Sequence, residues 1–290
     1  MSKYIIFTDS CADLHHETYQ KLEISMLPLS YLMEEKNYEN LSDESNIKFS
    51  EVYDKLRKGA NIKTSAVNVD QFTTAFRPYL EQGTDILYLG FSSGLSGTYS
   101  AGHIAAQELA EEFPERKILT IDTLCAALGQ GLLVYLVAKK RMEGATIEEA
   151  AAYAEELKPR LAHWFTVDDL FFLKRGGRLS GATALIGSAL GIKPVLHVDD
   201  EGHLIKVSTV RGRRNSLQAL ADIMKESAID PEEQTAFIGH GDCEEEAKLL
   251  AQMLKDTCGV KDVVIGYVGP VIGAHAGPGV IALFYLAKNR

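Results

Sequence analysis

The sequence predicts a mixed α/β protein with two domains. Short apolar runs rich in β-branched residues alternate with longer helical patterns through the first half of the chain. This alternation favours a parallel sheet with right-handed crossovers. The pattern changes after residue 160, where the turn sequence Asp199-Asp-Glu-Gly-His203 indicates an antiparallel hairpin. We therefore predict an N-terminal, parallel-sheet, Rossmann-like domain over residues 1–160 and a C-terminal domain of mixed sheet and helices over residues 161–290.

The individual elements follow from the period of the apolar residues. In the first half, continuous apolar runs predict strands covered on both faces at 3–7, 85–90 and 117–121. Amphipathic patterns predict helices at 49–58, 69–82, 99–112, 126–143 and 147–161. In the second half we predict strands at 164–167, 195–198, 204–209, 235–239, 263–268 and 280–286. Helices are predicted there at 182–190, 217–227 and 244–257.

Composition and charge exclude several classes of function. The chain has 290 residues, 46% of them hydrophobic, so it can bury a sizeable core. Its net charge of −10 weighs against binding to nucleic acid, which needs basic surface. No basic and apolar leader precedes the first strand, and the cysteines are scattered without a C-x-x-C pair: Cys11, Cys125, Cys243 and Cys258. We expect a cytoplasmic protein without a metal or cofactor.

One serine-rich loop is suited to binding an anion. Residues 91–99 read Phe-Ser-Ser-Gly-Leu-Ser-Gly-Thr-Tyr and connect a predicted strand to a predicted helix. We expect Ser96 to cap that helix and Gly97 to expose backbone N–H groups, which favour a carboxylate or phosphate. Ser93 adds a further hydroxyl. The loop matches neither a Walker A motif nor the dinucleotide G-x-G-x-x-G pattern.

Three further loops carry polar groups. Thr64 and Ser65 lie in a predicted loop at 62–67. Thr8-Asp-Ser10 follows the first strand and contains either ordinary cap and turn residues or part of a binding site at the strand ends. The segment 269–279 holds four glycines and two prolines around His275. Proline fixes the backbone φ angle, and glycine permits conformations that other residues avoid. We therefore expect this loop to hold the His275 imidazole in a defined position, either to bind a ligand or to make a backbone hydrogen bond.

Two basic clusters stand out against the acidic background. One is Leu173-Lys-Arg-Gly-Gly-Arg-Leu-Ser180, and the other is Arg211-Gly-Arg-Arg214. Each is either a solvated basic turn or a clamp for a phosphate, a carboxylate or an acidic partner, because the guanidinium fork fits such groups.

A serine-dependent hydrolase or transferase acting on small anionic substrates is the alternative from the enzyme class. Ser93 or Ser96 would be the nucleophile and His275 the base. The sequence has no G-x-S-x-G elbow and marks no aspartate as an orienting third member. His240, next to Gly241-Asp242, is a rival histidine.

In this order, the motifs resemble the DegV family of bacterial fatty-acid-binding proteins, which includes the acyl-carrying subunits of fatty acid kinase. The resemblance runs almost end to end. It is carried by Thr8-Asp-Ser10 with Asp13-Leu14, Lys63-Thr-Ser65, Ser92-Ser-Gly-Leu-Ser-Gly-Thr-Tyr99, Leu173-Lys-Arg-Gly-Gly-Arg-Leu-Ser180, Ile192-Lys-Pro-Val-Leu196 and Gly269-Pro-Val-Ile-Gly-Ala-His275 with Gly277-Pro-Gly279. One departure is Ala66-Val67-Asn68, where many relatives carry Gln-Pro or similar residues.

The resemblance implies a non-catalytic carrier with one fatty acid, such as palmitate or oleate, buried between two α/β domains. It implies that Thr64, Ser96 and His275 hold the carboxylate. Ser65, Ser93 and Gly97 are the secondary candidates for the head group. It also implies an ATP-dependent fatty acid kinase subunit as partner, with Arg175, Arg211 and Arg213 as candidate contacts to the partner or its phosphate. No nucleic acid partner is expected, and contact with membrane surfaces would be transient.

Overall fold

The structure, a computed structural model, describes residues 3–179 and 191–290. The predicted helix at 182–190 and Ser180 of the first basic cluster lie outside these ranges. Within them, no helix combines the length and the apolar character needed to cross a bilayer.

The first part of the chain contains seven strands and six helices within the described ranges. The strands are β1 (Tyr4–Asp9), β2 (Ile24–Leu27), β3 (Ser30–Met33), β4 (Lys36–Glu39), β5 (Ile62–Ser65), β6 (Asp85–Gly90) and β7 (Ile118–Asp122). The helices are α1 (His16–Lys21), α2 (Phe49–Arg57), α3 (Val69–Glu81), α4 (Thr98–Glu112), α5 (Ala127–Met142) and α6 (Ile147–Leu157). Single 3₁₀ turns occur at Ser10–Ala12 and Lys158–Arg160.

The second part adds the remaining described elements. Its strands are β8 (Leu161–Thr166), β9 (Ile192–Val198), β10 (Leu204–Arg211), β11 (Thr235–His240), β12 (Asp262–Tyr267) and β13 (Ile281–Leu286). Its helices are α7 (Leu170–Gly176), α8 (Arg213–Ser227), α9 (Glu244–Cys258) and α10 (Pro270–Ala276). A 3₁₀ turn lies at Pro231–Glu233.

The strands form three sheets. A parallel four-stranded sheet has the order β2-β1-β6-β7, and a mixed six-stranded sheet has the order β10-β9-β8-β13-β11-β12. A small antiparallel sheet, β4-β3-β5, lies beside them. The predicted mixed α/β fold is confirmed, and so is the antiparallel β9–β10 hairpin.

Helix α5 joins the two large sheets. Its buried residues run from Ala127 to Ala138 with few interruptions, and they share one apolar cluster with residues of both sheets, such as Leu89 and Phe284. A helix that is apolar nearly all round must be covered on all sides. Helices α3 and α4 cover the outer face of the parallel sheet, and α8 and α9 cover the outer face of the mixed sheet.

Two predicted loops are regular structure. Residues 62–67, predicted as a loop, contain β5, which pairs with β3. Strands β2 to β4 were not predicted, because they are short and β4 is mostly exposed and polar. The segment around His275 contains α10: Pro270 stands in its first turn, where its missing N–H costs nothing, and Gly277 at φ 80° ends it. The division of the domains at residue 160 stays a prediction, although β8 begins at Leu161.

Candidate functional site

The candidate site is an apolar cavity of about 180 Å³ between the loops of the parallel sheet and the face of the mixed sheet that α5 covers. Most of its wall is hydrocarbon. Residues that supply apolar surface include Leu29, Phe91, Leu95, Phe165, Val271, Val280, Ala282 and Phe284. The polar residues of the wall are Thr64, Ser65, Ser96, Arg178, His275 and, farther along the mixed sheet, His163.

Thr64 and His275 meet although they are far apart in sequence. Thr64 is near the end of β5, and His275 is in the last turn of α10; Nε2 of the imidazole lies 2.9 Å from Oγ1 of Thr64. Gly176 of α7 packs against the other ring nitrogen, and a Cβ at this position would overlap Nδ1. Glycine is therefore needed at position 176. The His275 ring is held by Thr64 at Nε2 and by the backbone of Gly176 at Nδ1.

A buried carboxylate holds the Ser96 loop in place. Oδ2 of Asp9, at the end of β1, accepts from the backbone N–H of Phe91 (2.9 Å) and from Nε2 of Gln130 (3.2 Å). Burial raises the pKa of Asp9 to about 6. On the far side of the loop, Oγ of Ser92 donates to the carbonyl of Gly202 in the β9–β10 turn, 2.9 Å away. The Thr8-Asp-Ser10 motif therefore supports the site from behind.

Ser96 does not occupy the N-cap position that we predicted. The cap of α4 is Gly97, and helix α4 begins at Thr98. Oγ of Ser96 nevertheless accepts from the Thr98 N–H at 3.2 Å and lies 2.9 Å from Oγ1 of Thr98. The turn from Ser92 to Ser96, in which the Ser96 N–H donates to the Ser92 carbonyl at 3.1 Å, precedes the helix cap. Ser96 and Gly97 both line the cavity.

His275 is neutral at pH 7. Burial, followed by the positive charges of Arg178 and Arg175, lowers its pKa to about 4. A neutral imidazole carries one N–H. When this hydrogen is on Nε2, Oγ1 of Thr64 accepts it in a hydrogen bond, and the Thr64 hydroxyl can still donate its own hydrogen to a ligand. Because neighbouring cations disfavour the imidazolium, the same cations favour an anion in this region.

The other predicted residues are divided between the cavity and the surface. Ser65 and Gly97 are exposed where they line the cavity, which places them at its mouth. Ser93 is exposed and outside the wall, and its backbone N–H donates to Asp122 at 3.2 Å. Arg175 and Arg211 are also exposed. Arg178, for which we predicted no separate role, lines the cavity.

Two of the predicted arginines have contacts within the chain. The Arg175 guanidinium stacks over the rings of Phe171 and Phe172. Arg213 donates to Glu246 at 2.6 Å and to the carbonyl of Gly279 at 2.6 Å. Because its guanidinium already bridges α8, α9 and the segment before β13, Arg213 supports the fold at this position.

Among the described residues, Ser96 and His275 do not form the nucleophile–base pair of a serine hydrolase. The imidazole of His275 lies within hydrogen-bond distance of Thr64, and the hydroxyl of Ser96 lies within hydrogen-bond distance of Thr98. Neither group therefore has the partner that nucleophilic activation requires. Nδ1 of His275 has no hydrogen-bond partner among the described residues, so no carboxylate orients the ring. The rival His240 accepts from the Cys243 N–H through Nδ1.

Fold and site together define a two-domain α/β protein with an apolar cavity and a polar mouth. The family model described as "Uncharacterised protein, DegV family" matches residues 3–288. A DegV domain-containing protein of Clostridium perfringens is 45% identical over 291 residues, covering 100% of this chain and 99% of that protein. The chain belongs to the DegV family.

Solved structures show the same fold. A DegV family protein of Thermus thermophilus, described by its fatty acid binding, superimposes with a TM-score of 0.86 at 29% identity, covering 98% of this chain and 99% of that one. A stearic-acid-binding protein of Eubacterium ventriosum superimposes with a TM-score of 0.87 at 26% identity, covering 98% of both chains.

Proposed function

We propose that this protein binds one long-chain fatty acid, with the hydrocarbon tail in the cavity and the carboxylate at Thr64, Ser96 and His275. The observation that carries the proposal is that these three residues, from β5, the loop before α4, and α10, reach the wall of one apolar cavity. The fatty acids bound by the relatives from Thermus thermophilus and Eubacterium ventriosum support it.

The tail and the head group make different contributions. Each buried methylene contributes about 0.8 kcal/mol, so the tail supplies most of the affinity. A carboxylate withdrawn from water needs hydrogen-bond donors. The hydroxyls of Thr64 and Ser96, the imidazole of His275 and the positive potential of Arg178 meet that need at the polar mouth.

Mass spectrometry of an organic extract of the purified protein tests this function. We expect a fatty acid in near-stoichiometric amount, and we expect delipidated protein to bind added palmitate or oleate. Protein that is consistently empty, and that also shows no heat of binding with either acid, would refute the proposal.

We further propose that the bound carboxylate is presented to a separate kinase, which forms the acyl phosphate. The chain contains no Walker A sequence, and Ser65 and Gly97 are exposed at the mouth, where a phosphoryl donor could reach the carboxylate. The exposed Arg175 and Arg211 are suited to contact the kinase or its phosphate.

Transfer of phosphate from radiolabelled ATP to the bound acid tests the kinase proposal. We expect acyl phosphate only when an ATP-dependent fatty acid kinase subunit is added, and less of it with Arg211→Glu at unchanged acid affinity, since Arg211 is exposed and does not line the cavity. Acyl phosphate formation by this chain alone, or no product with any such kinase, would contradict it.

The proposed site also predicts a pH dependence. A carboxylate beside His275 favours the imidazolium and raises the histidine pKa from about 4 in the free protein. The bound state then holds the extra proton, so affinity rises as pH falls from about 7 towards the free pKa. NMR titration of the His275 ring, with and without palmitate, checks the shift; His275→Gln should remove the pH dependence. Equal histidine pKa values in the two states would contradict a carboxylate at this position.

A further inference from the structure

The cavity runs along the mixed sheet. Its floor includes Val280, Ala282 and Phe284, which alternate along the start and length of β13. The neighbouring β8 runs in the opposite direction, so that Phe165 lies opposite Ala282 and His163 lies opposite Phe284. At about 3.4 Å per residue, Val280 and Phe284 are about 14 Å apart. Helix α10, with His275, comes just before Val280, so His163 and Phe284 stand at the far end of the floor from the polar mouth.

His163 is held rigidly at that end. It is 1% exposed, and its Nδ1 donates to the carbonyl of Leu161 at 2.9 Å. The ring meets Phe284 edge to face, with centroids 5.2 Å apart. Burial, followed by the charge of Arg290, lowers the His163 pKa well below its ordinary value, so the ring is neutral. Because the imidazole is neutral and held in one orientation, it forms a rigid end to the cavity floor.

Helix α5 closes the space behind His163. Ala126 and Ala127 line the cavity, whereas Gly129 packs directly on the imidazole. A Cβ at Gly129 would overlap the Nε2 edge of His163 and lie 2.7 Å from Cδ1 of Phe284. Since even a methyl group does not fit between the helix and these rings, no continuation of the cavity passes between them.

We propose that His163, backed by Gly129, is the wall that the methyl end of the acyl chain meets, and that this pair sets the preferred acyl length. The inference rests on the proposed fatty acid function and names its specificity-determining residues. It predicts opposite changes at the two positions. Shortening the side chain at 163 extends the cavity, whereas adding a methyl group at 129 forces the imidazole into it.

The experiment compares His163→Ala and Gly129→Ala with the wild-type chain, by competition among even-numbered saturated acids from laurate to arachidate. For His163→Ala we expect the optimum to move to longer acids, with an approximately tenfold relative gain for the acid that is two carbons longer, as two more buried methylenes imply. For Gly129→Ala we expect the optimum to move to shorter acids.

His240→Ala is the matched control. His240 is also buried in the mixed sheet, but its ring packs on Tyr267 with centroids 4.4 Å apart and does not line the cavity. We expect it to keep the wild-type length profile. His163→Val, which keeps apolar contact with Phe284, replaces His163→Ala if thermal melting shows that the alanine variant does not fold.

The outcomes separate this inference from the proposed function. Folded variants at 163 and 129 that bind acids with the wild-type length profile would overturn the role of His163 while leaving fatty acid binding intact. A wild-type chain that binds none of the acids would overturn the proposed function itself.

Discussion

Replacing His275 with alanine is expected to weaken fatty acid binding by roughly 10- to 150-fold, because a hydrogen bond to a charged group contributes about 1.5–3 kcal/mol. The imidazole is anchored to Thr64 and lies against Gly176, and it belongs to the polar mouth of the cavity. Isothermal titration of delipidated protein with palmitate measures the change. Ser96→Ala should act in the same direction, and neither variant should lose the fold.

The control for this substitution is His203→Ala. His203 lies in the β9–β10 turn, its side chain is 43% exposed, and it does not line the cavity. We expect wild-type affinity for this variant. If His275→Ala and Ser96→Ala both bind palmitate as tightly as the wild-type protein does, the carboxylate is held elsewhere and the assignment of the head group is wrong.

The largest effect is expected from Ala282→Phe, which should reduce palmitate affinity about a thousandfold. Ala282 lies in the middle of the cavity floor, between Val280 and Phe284. A phenyl group there takes the space of about five methylenes, each contributing about 0.8 kcal/mol. The ligand-free protein should keep its melting temperature, because the new ring fills existing space rather than leaving a void.

Val207→Phe adds the same ring at an exposed position of the same sheet, where Val207 is 51% exposed on β10. This control should bind palmitate normally. Binding measurements and thermal melts of both variants therefore distinguish a blocked cavity from a damaged sheet. Undiminished palmitate binding by a folded Ala282→Phe protein would mean that the tail takes another path.

The sequence predicted the elements whose apolar pattern is continuous. Strands β1, β6 and β7 and helices α3 to α5 lie within about two residues of their predicted positions, because burial on both faces of a sheet leaves a clear signal. It failed at β2 to β5, where strands of four residues are too short to establish a period. It also failed at α10, where Pro270 and Gly277 mark the start and end of a helix rather than a loop.

The site was only partly predictable. The hydroxyls and imidazole could be named from the motifs, but the contact between Thr64 and His275, 211 residues apart, depends on how the two sheets pack around α5. The basic cluster gave no means of choosing between Arg175 and Arg178; the left-handed turn at Gly177 follows Arg175 and precedes Arg178, which lines the cavity. His163 carried no motif, since a buried strand histidine has no distinctive sequence context.

The most direct test of the central claim is a crystal structure of the protein with palmitate. We expect a carboxylate oxygen within hydrogen-bond distance of Thr64 or His275, the other near Ser96 and Gly97, and the tail running over Ala282 towards His163. A carboxylate bound away from these groups, or a chain lying outside the cavity between α5 and the mixed sheet, would contradict the account.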